Sequence, residues 1–247
     1  MAFQLKDIVP WGRSFEEYVA MFALSEDDLS KRILGCGDGP ASFNCELSKR
    51  GGMVVSVDPL YAYDVDDISK RIEETFDDIM REARKNINEF VWRHIRSIDE
   101  LGEVRMKAMR DFLSDYCQGK ADGRYLPESI PSLSFPDNSF DLGVCSHLLF
   151  LYSDHLDLNF HIDSITELCR VCRETRIFPL LQFGAIPSPH VLPVSEHFRA
   201  QGYDVAQVPV PYEFQRGGNE MLRIRKVEPT NALDSELAAP SASTRSE

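Results

Sequence analysis

Arg32-Ile-Leu-Gly-Cys-Gly-Asp-Gly-Pro40 is the stretch on which the reading of this chain turns. A short apolar run enters it, and Gly35, Gly37 and Gly39 follow at alternate positions. A helical pattern then covers about Ala41 to Arg50, and the β-branched run Met53 to Val57 ends at Asp58. Strand, glycine turn, helix and strand make a βαβ unit. Glycines let the backbone come close to a ligand, and the N–H groups at a helix start favour an anionic group such as a carboxylate. Asp58 lies about twenty residues further on, at the end of the second strand, where a carboxylate accepts hydrogen bonds from both ribose hydroxyls.

The spacing selects among nucleotide-type ligands. A dinucleotide site needs GxGxxG, whose third glycine admits the pyrophosphate. Here position 40 is Pro. That disfavours a nicotinamide cofactor and leaves a ligand-free glycine turn as the plain alternative.

Working outward, Ser14 to Ser25 carries Phe15, Tyr18, Met21 and Phe22 at helical spacing. Ser14 and Glu17 are placed as a capping box. From Tyr63 the pattern is helical for some sixty residues, in three stripes: Ile68, Ile72, Phe76, Ile79 and Met80; Phe90, Val91, His94 and Ile95; and Leu101, Val104, Ala108, Phe112 and Tyr116. A plain βα crossover is far shorter, so this region reads as the ordinary second helix plus an all-α insertion at about residues 63–118. Strands are expected at Arg124 to Leu126, Phe140 to Ser146, Arg176 to Leu181, Asp204 to Pro209 and Met221 to Val227, with helices at Ile162 to Cys172 and Val194 to Gln201. Such alternation predicts an α/β fold with a largely parallel sheet covered on both faces. Gln215 to Asn219 leaves no room for a helix, so the last two strands form an antiparallel hairpin. The expected domains are an N-terminal helical segment (1–30), one α/β domain (31–227) and a Pro-, Ala- and Ser-rich tail (228–247) expected to be disordered.

Forty acidic against 27 basic residues give a net charge of −13. No block of Lys and Arg offsets that charge, so nucleic acid and anionic membrane surfaces are not expected partners. The N-terminus lacks a secretory pattern and the longest apolar run, near Leu142 to Tyr152, is too short to span a bilayer. A cytoplasmic protein is expected. The six cysteines lack the regular spacing of a disulfide framework and read as reduced thiols.

On the first motif the chain resembles the class I S-adenosylmethionine-dependent methyltransferases, specifically the small-molecule group whose motif reads LGCGxG. The resemblance extends to Leu133-Ser-Phe-Pro-Asp-Asn-Ser-Phe-Asp-Leu142, which is similar to that group's LPFPDxSFD segment, and to the terminal hairpin. It covers roughly residues 30–60 and 124–227. It implies a Rossmann-like, seven-stranded sheet and S-adenosyl-L-methionine as cofactor. It places Gly35, Cys36 and Gly37 along the methionine part, Asp58 on the ribose, and Pro59 or Leu60 beside the adenine. Glu128 or Ser129 stands where many members contact the adenine amino group, and Ser146 and His147 end the fourth strand beside the reactive methyl. The chain departs from the pattern in three ways. Ile33 stands where many members carry an acid, the helical insertion is not a general feature, and no PGG turn follows the helix near Cys172.

Ser146 to His161 is rich in His and aromatic residues where an acceptor would sit. His147 reads either as a general base or as a hydrogen-bonding histidine, and Tyr152 as a substrate contact. Arg13 reads as a partner for a cofactor or substrate carboxylate, or as a surface arginine, and Arg216 as a substrate contact in the hairpin loop. The spacing of His147, His155 and His161 matches no metal site, and Cys169 and Cys172 read as core cysteines on a helix. The expected activity is methyl transfer to an O, N or S atom of a small molecule. The alternative is a non-catalytic S-adenosylmethionine-binding protein. An extruded nucleobase is disfavoured because the fourth strand ends Cys145-Ser-His147 instead of (D/N)PP(Y/F).

Overall fold

The computed structural model describes residues 10–227, so the expected tail at 228–247 lies outside the described residues. In chain order the elements are α1 (Phe15–Met21), α2 (Glu26–Leu29), β1 (Arg32–Cys36), α3 (Phe43–Lys49), β2 (Met53–Val57), α4 (Val65–Lys85), α5 (Ile98–Ala121), β3 (Tyr125–Leu126), β4 (Phe140–Ser146), α6 (Leu158–Val171), β5 (Cys172–Phe178), β6 (Leu181–Gln182), β7 (Ile186–Pro187), α7 (Val191–Ala200), β8 (Tyr203–Pro209) and β9 (Glu220–Lys226).

Seven strands form one sheet in the order β3-β2-β1-β4-β5-β9-β8. β1 to β5 pair in parallel, whereas β9 runs antiparallel to β5 and β8. This is the mostly parallel sheet with a terminal hairpin that the sequence implied. β1 lies between β2 and β4, so the direction of winding reverses there. The strand ends at that reversal open a crevice where ligands bind in such sheets. Adjacent side chains of a strand face opposite layers: Ile33 packs with Phe15, Tyr18 and Phe43 under α1 and α3, while Leu34 packs with Ile165, Leu168 and Phe198 under α6 and α7.

The helical region is built from two long helices. α5 is the ordinary crossover helix, packed on α3 and β3, and α4 packs on α5. The expected third stripe lies on α5, but the second stripe is not helical: Phe90 to Ile95 is irregular. Asn86 ends α4 by donating its side-chain amide to the Glu82 carbonyl at 2.9 Å. The following backbone bonds elsewhere, with Phe90 bridged to Gln215 and the Val91 N–H donating to the Phe214 carbonyl at 2.7 Å. Phe90 and Trp92 pack on Phe214, so the apolar spacing there records contact with another loop.

Three smaller expectations are corrected. The first helix stops at Met21, because Ala23 takes a left-handed φ of 46° and a second short helix begins beyond Ser25. β5 starts at Cys172 and ends at Phe178, while Leu181 belongs to a separate two-stranded ladder with Ile186 and Pro187. Cys172 therefore opens a strand and does not share a helix with Cys169; both are buried free thiols.

The Ser14 and Glu17 capping box is present, but Glu17 does more than cap. Its carboxylate accepts from both terminal nitrogens of Arg105 on α5, one at 2.7 Å, and from the Tyr212 hydroxyl at 2.7 Å. Burial would raise this carboxyl, yet the Arg105 guanidinium holds it down to about 2. Arg105 is fully buried. Removing one member of such a pair leaves an uncompensated buried charge. Glu17→Ala is expected to cost about 3–5 kcal/mol in chemical denaturation, whereas the exposed neighbour change Glu16→Ala stays within about 0.5 kcal/mol. Equal midpoints for the two variants would deny Glu17 this role.

Candidate functional site

Where β1 ends, the chain turns sharply through left-handed conformations at Gly37 (φ 67°) and Gly39 (φ 53°). At Gly37 a Cβ would also collide with the Leu148 side chain at 2.6 Å. The turn is fixed from β2: Asp58 accepts from the Gly39 N–H at 2.9 Å and from the Leu60 N–H at 2.8 Å, one on each carboxylate oxygen. Burial raises the Asp58 carboxyl, with these two N–H groups opposing.

Around this turn lies a cavity of about 950 Å³. Its wall runs from Cys36, Gly37 and Asp58 past Pro59 and Leu60 to Ser129, and across to Ser146, His147 and Tyr152. Helix α4 contributes Ile68, Arg71 and Ile79, so the insertion forms part of the wall. Glu128 lines it as well, with its carboxylate held by the Ser134 N–H at 2.9 Å and hydroxyl at 2.6 Å. The Cys36 thiol is raised well above its ordinary value by its hydrogen bond with Cys145 and by burial, so it stays protonated.

His147 sits at φ 52°, its N–H donating to the Phe178 carbonyl at 2.7 Å and its Nδ1 2.8 Å from Ser146 Oγ. Burial, followed by the nearby charges of Arg13 and Arg105, lowers its pKa well below the ordinary imidazole value. It is therefore neutral at pH 7. Arg13 lines the cavity beside Tyr18, Arg105 and Tyr212.

Two expected contacts lie elsewhere. Gly35 is not among the cavity-lining residues; a Cβ there would fall 1.9 Å from the Asp38 carboxylate, so this glycine makes room for Asp38. Arg216 does not line the cavity either. It binds the insertion loop, its backbone N–H to the Glu89 carbonyl at 2.8 Å and its guanidinium to the carbonyls of Asn88 and Phe90, and Gln215 lines the cavity in its place.

Sequence reasoning missed Asp38. This buried carboxylate lines the cavity and accepts from the Tyr18 hydroxyl at 2.9 Å and the Ser56 hydroxyl at 2.6 Å. The signal was a carboxylate between two glycines of the first motif. Arg105 and Tyr212 were missed too, because their partner Glu17 lies 88 and 195 residues away. Among the described residues no group of three or more His, Cys, Asp and Glu is placed to hold a metal ion, and no helix is long and apolar enough to cross a membrane.

The strand order, the terminal hairpin and the glycine turn facing an acid on β2 define the class I methyltransferase fold. The chain is 33% identical over 223 residues to the uncharacterized protein MJ0045 of Methanocaldococcus jannaschii, spanning 90% of this chain and 98% of that protein. It belongs to the family of that archaeal protein. No family model matches the chain. Among solved structures it is similar to magnesium protoporphyrin IX methyltransferase from Synechocystis PCC 6803 with bound SAM (12% identity, TM-score 0.44, 86% of this chain and 78% of that one). It is also similar to a SAM-dependent methyltransferase from Aquifex aeolicus (16% identity, TM-score 0.40, 85% and 87%). The fold assignment rests on the strand order and not on these two similarities.

The Asp38 carboxyl is pushed up to about 7 from its ordinary 3.8, by burial first and with Asp58 adding to it. Its folded form favours the proton, so its contribution to stability is complete below pH 3.8 and is lost as the pH rises through about 7. Asp38→Asn, which cannot ionise, should therefore gain stability relative to the parent between pH 5 and 8, by roughly 1.4 kcal/mol per tenfold change in proton affinity. Urea titrations across that range check it, and parallel curves would exclude a buried ionisation here.

Proposed function

We propose that the protein is an S-adenosylmethionine-dependent methyltransferase acting on an O, N or S atom of a small molecule. The observation that carries this reading is one continuous cavity joining the glycine turn and Asp58 to the end of β4 at Ser146 and His147. Its volume lies near the top of the range of roughly 300–1,000 Å³ for ligand pockets, which suits two molecules side by side.

The residues fit the cofactor. Each Asp58 oxygen accepts one backbone N–H and keeps acceptor capacity for a ribose hydroxyl. Pro59 and Leu60 flank the adenine on one side, with Ser129 near its amino edge. Cys36 and Gly37 offer a close backbone approach to the methionine part, and Asp38, on giving up its proton to pair with the cofactor's ammonium group, supplies the negative charge that Ile33 does not. When bound, the cofactor supplies an electrophilic methyl group on a sulfonium.

His147 then acts on the acceptor. The tautomer in which Nδ1 donates to Ser146 Oγ leaves Nε2 as the proton acceptor. Because burial and two arginines keep the ring neutral, this base stays competent below the ordinary histidine range. In-line positioning by the cavity wall contributes alongside it, and Tyr152, buried against Phe183, forms part of that wall.

The reading is tested by incubating the protein with methyl-labelled cofactor and a metabolite extract. Label transferred to a small molecule supports it, whereas binding without transfer points to the non-catalytic S-adenosylmethionine-binding alternative. Asp58→Ala should weaken cofactor binding by about 1.5–3 kcal/mol through loss of charge-assisted hydrogen bonds; unchanged affinity by calorimetry, with circular dichroism intact, would remove Asp58 from the site.

We assign the insertion, residues 63–118, as a lid. It leaves the C-terminal end of β2 and contributes α4 to the cavity wall, a position from which it excludes water from the reacting groups. Hydrogen exchange should slow across residues 63–118 when cofactor and acceptor are both bound. Protection confined to Gly35 to Asp58 would show that the insertion does not close.

A further inference from the structure

A cation cluster lines the cavity next to Tyr18, whose hydroxyl donates to Asp38 of the glycine turn. Arg13, Arg105, Tyr18 and Tyr212 all line it. Glu17 is the carboxylate that pairs with Arg105, so two guanidinium groups share one negative charge. Arg105 is fully buried, and among the described residues its Nε has no hydrogen-bond partner. The Nε of Arg13 is buried and equally unpartnered, and its guanidinium makes one hydrogen bond within the described residues, from Nη1 to the Trp11 carbonyl at 3.2 Å. Burial, and then repulsion from Arg105, lower Arg13 to about 10. It remains a cation at neutral pH.

A buried donor left without an acceptor costs about 1–3 kcal/mol, more for a charged group. Two guanidinium groups beside one carboxylate leave a surplus positive charge on the cavity wall, in a chain carrying −13 overall. Tyr212 packs against Phe178 at the end of β5, and His147 packs against the same ring. The cluster thus reaches the ends of β4 and β5 on one side and, through Tyr18, the glycine turn at Asp38 on the other. The nearby wall is aromatic, with Trp11, Phe90 and Phe214.

We propose that Arg13, backed by the buried Arg105 and Tyr212, forms an oxyanion subsite, so that the methyl acceptor is an aromatic or bulky apolar acid whose carboxylate or phosphate docks on the Arg13 guanidinium. This rests on the methyltransferase reading for the word acceptor, though not for the subsite. A planar guanidinium pairs with either oxyanion through two parallel N–H···O bonds. Docked there, the acid's other end lies toward Ser146 and His147, which places a nucleophilic atom near the proposed base.

The shared chemistry has a second source, the carboxylate of the cofactor's own methionine part. Calorimetry on the full chain separates the two. With S-adenosylhomocysteine saturating, phenylacetate or phenyl phosphate should bind, and the neutral isostere 2-phenylethanol should bind at least about tenfold more weakly. Arg13→Met, on the rim of the buried pair, should abolish that preference and leave S-adenosylhomocysteine affinity unchanged, while Arg13→Lys retains part of it. The subsite assignment is overturned if neither acid binds, or if the neutral isostere binds as well as the acids. The acceptor assignment is overturned if Arg13→Met weakens S-adenosylhomocysteine but not 5′-methylthioadenosine, which lacks the carboxylate. No binding of S-adenosylhomocysteine to the parent protein would sink the methyltransferase reading instead, and Arg13-dependent binding of the acids alone would then leave the subsite standing.

Discussion

Glu17 accepts a bidentate pair from Arg105 and a further hydrogen bond from Tyr212, and these three residues come from α1, α5 and the segment between β8 and β9. Because all are buried, the contact is an obligation more than an ornament: each partner would be an unpaired charge or hydroxyl if the others moved. The consequence is geometric. α1 cannot lift from the sheet, nor α5 slide along α3, without breaking it. Arg13 is two residues from the start of α1, so its placement in the cavity is inherited from this contact. A second buried link, from Arg176 on β5 to Asp28 and to the Phe22 carbonyl, holds the same N-terminal segment down over the sheet. Sheet, lead segment and α5 thus act as one frame around the ligand space, and α4 is the part of the insertion that this network leaves unfixed.

How far this was legible follows from the range of each interaction. The glycine turn, the run ending at Asp58 and the strand Phe140–Ser146 are local patterns, and local patterns survive into structure when nothing distant competes. Phe90 to Ile95 failed for the opposite reason. Its apolar spacing suited a helix, but its backbone groups bond to the loop at Phe214 and Gln215, a partner no local window contains. Arg216 failed in the same contact: it looked like a free loop cation at the mouth of the site and is spent on the carbonyls of Asn88 and Phe90. Gly35 was assigned to ligand approach, whereas its missing side chain accommodates Asp38 within the protein. The Glu17 network was visible only as a capping box, since a sequence shows the near half of a side chain's bonds and not the far half.

Two neighbouring groups on the cavity wall carry opposite unmet charges, and Tyr18 interacts with both. Its hydroxyl donates to Asp38, whose carboxyl has no ion-pair partner among the described residues and is pushed up to about 7. Arg13 stands on its other side, pulled down to about 10 by burial and by Arg105. A direct pairing of Asp38 with Arg13 would neutralise both, and a protein selected for stability alone has every reason to form it. Holding them apart with a phenol keeps each available and leaves the empty site destabilised, the pattern expected where side chains are set for a ligand and not for each other. A ligand that brings a cation to the Asp38 side and an anion to the Arg13 side would relieve both strains at once. One bringing only a single charge would leave the other unmet. An amino-acid zwitterion, with its ammonium group beside its carboxylate, meets both from one molecule, and a cofactor cation with an acidic acceptor meets them from two; in either arrangement neither side stays unpaired.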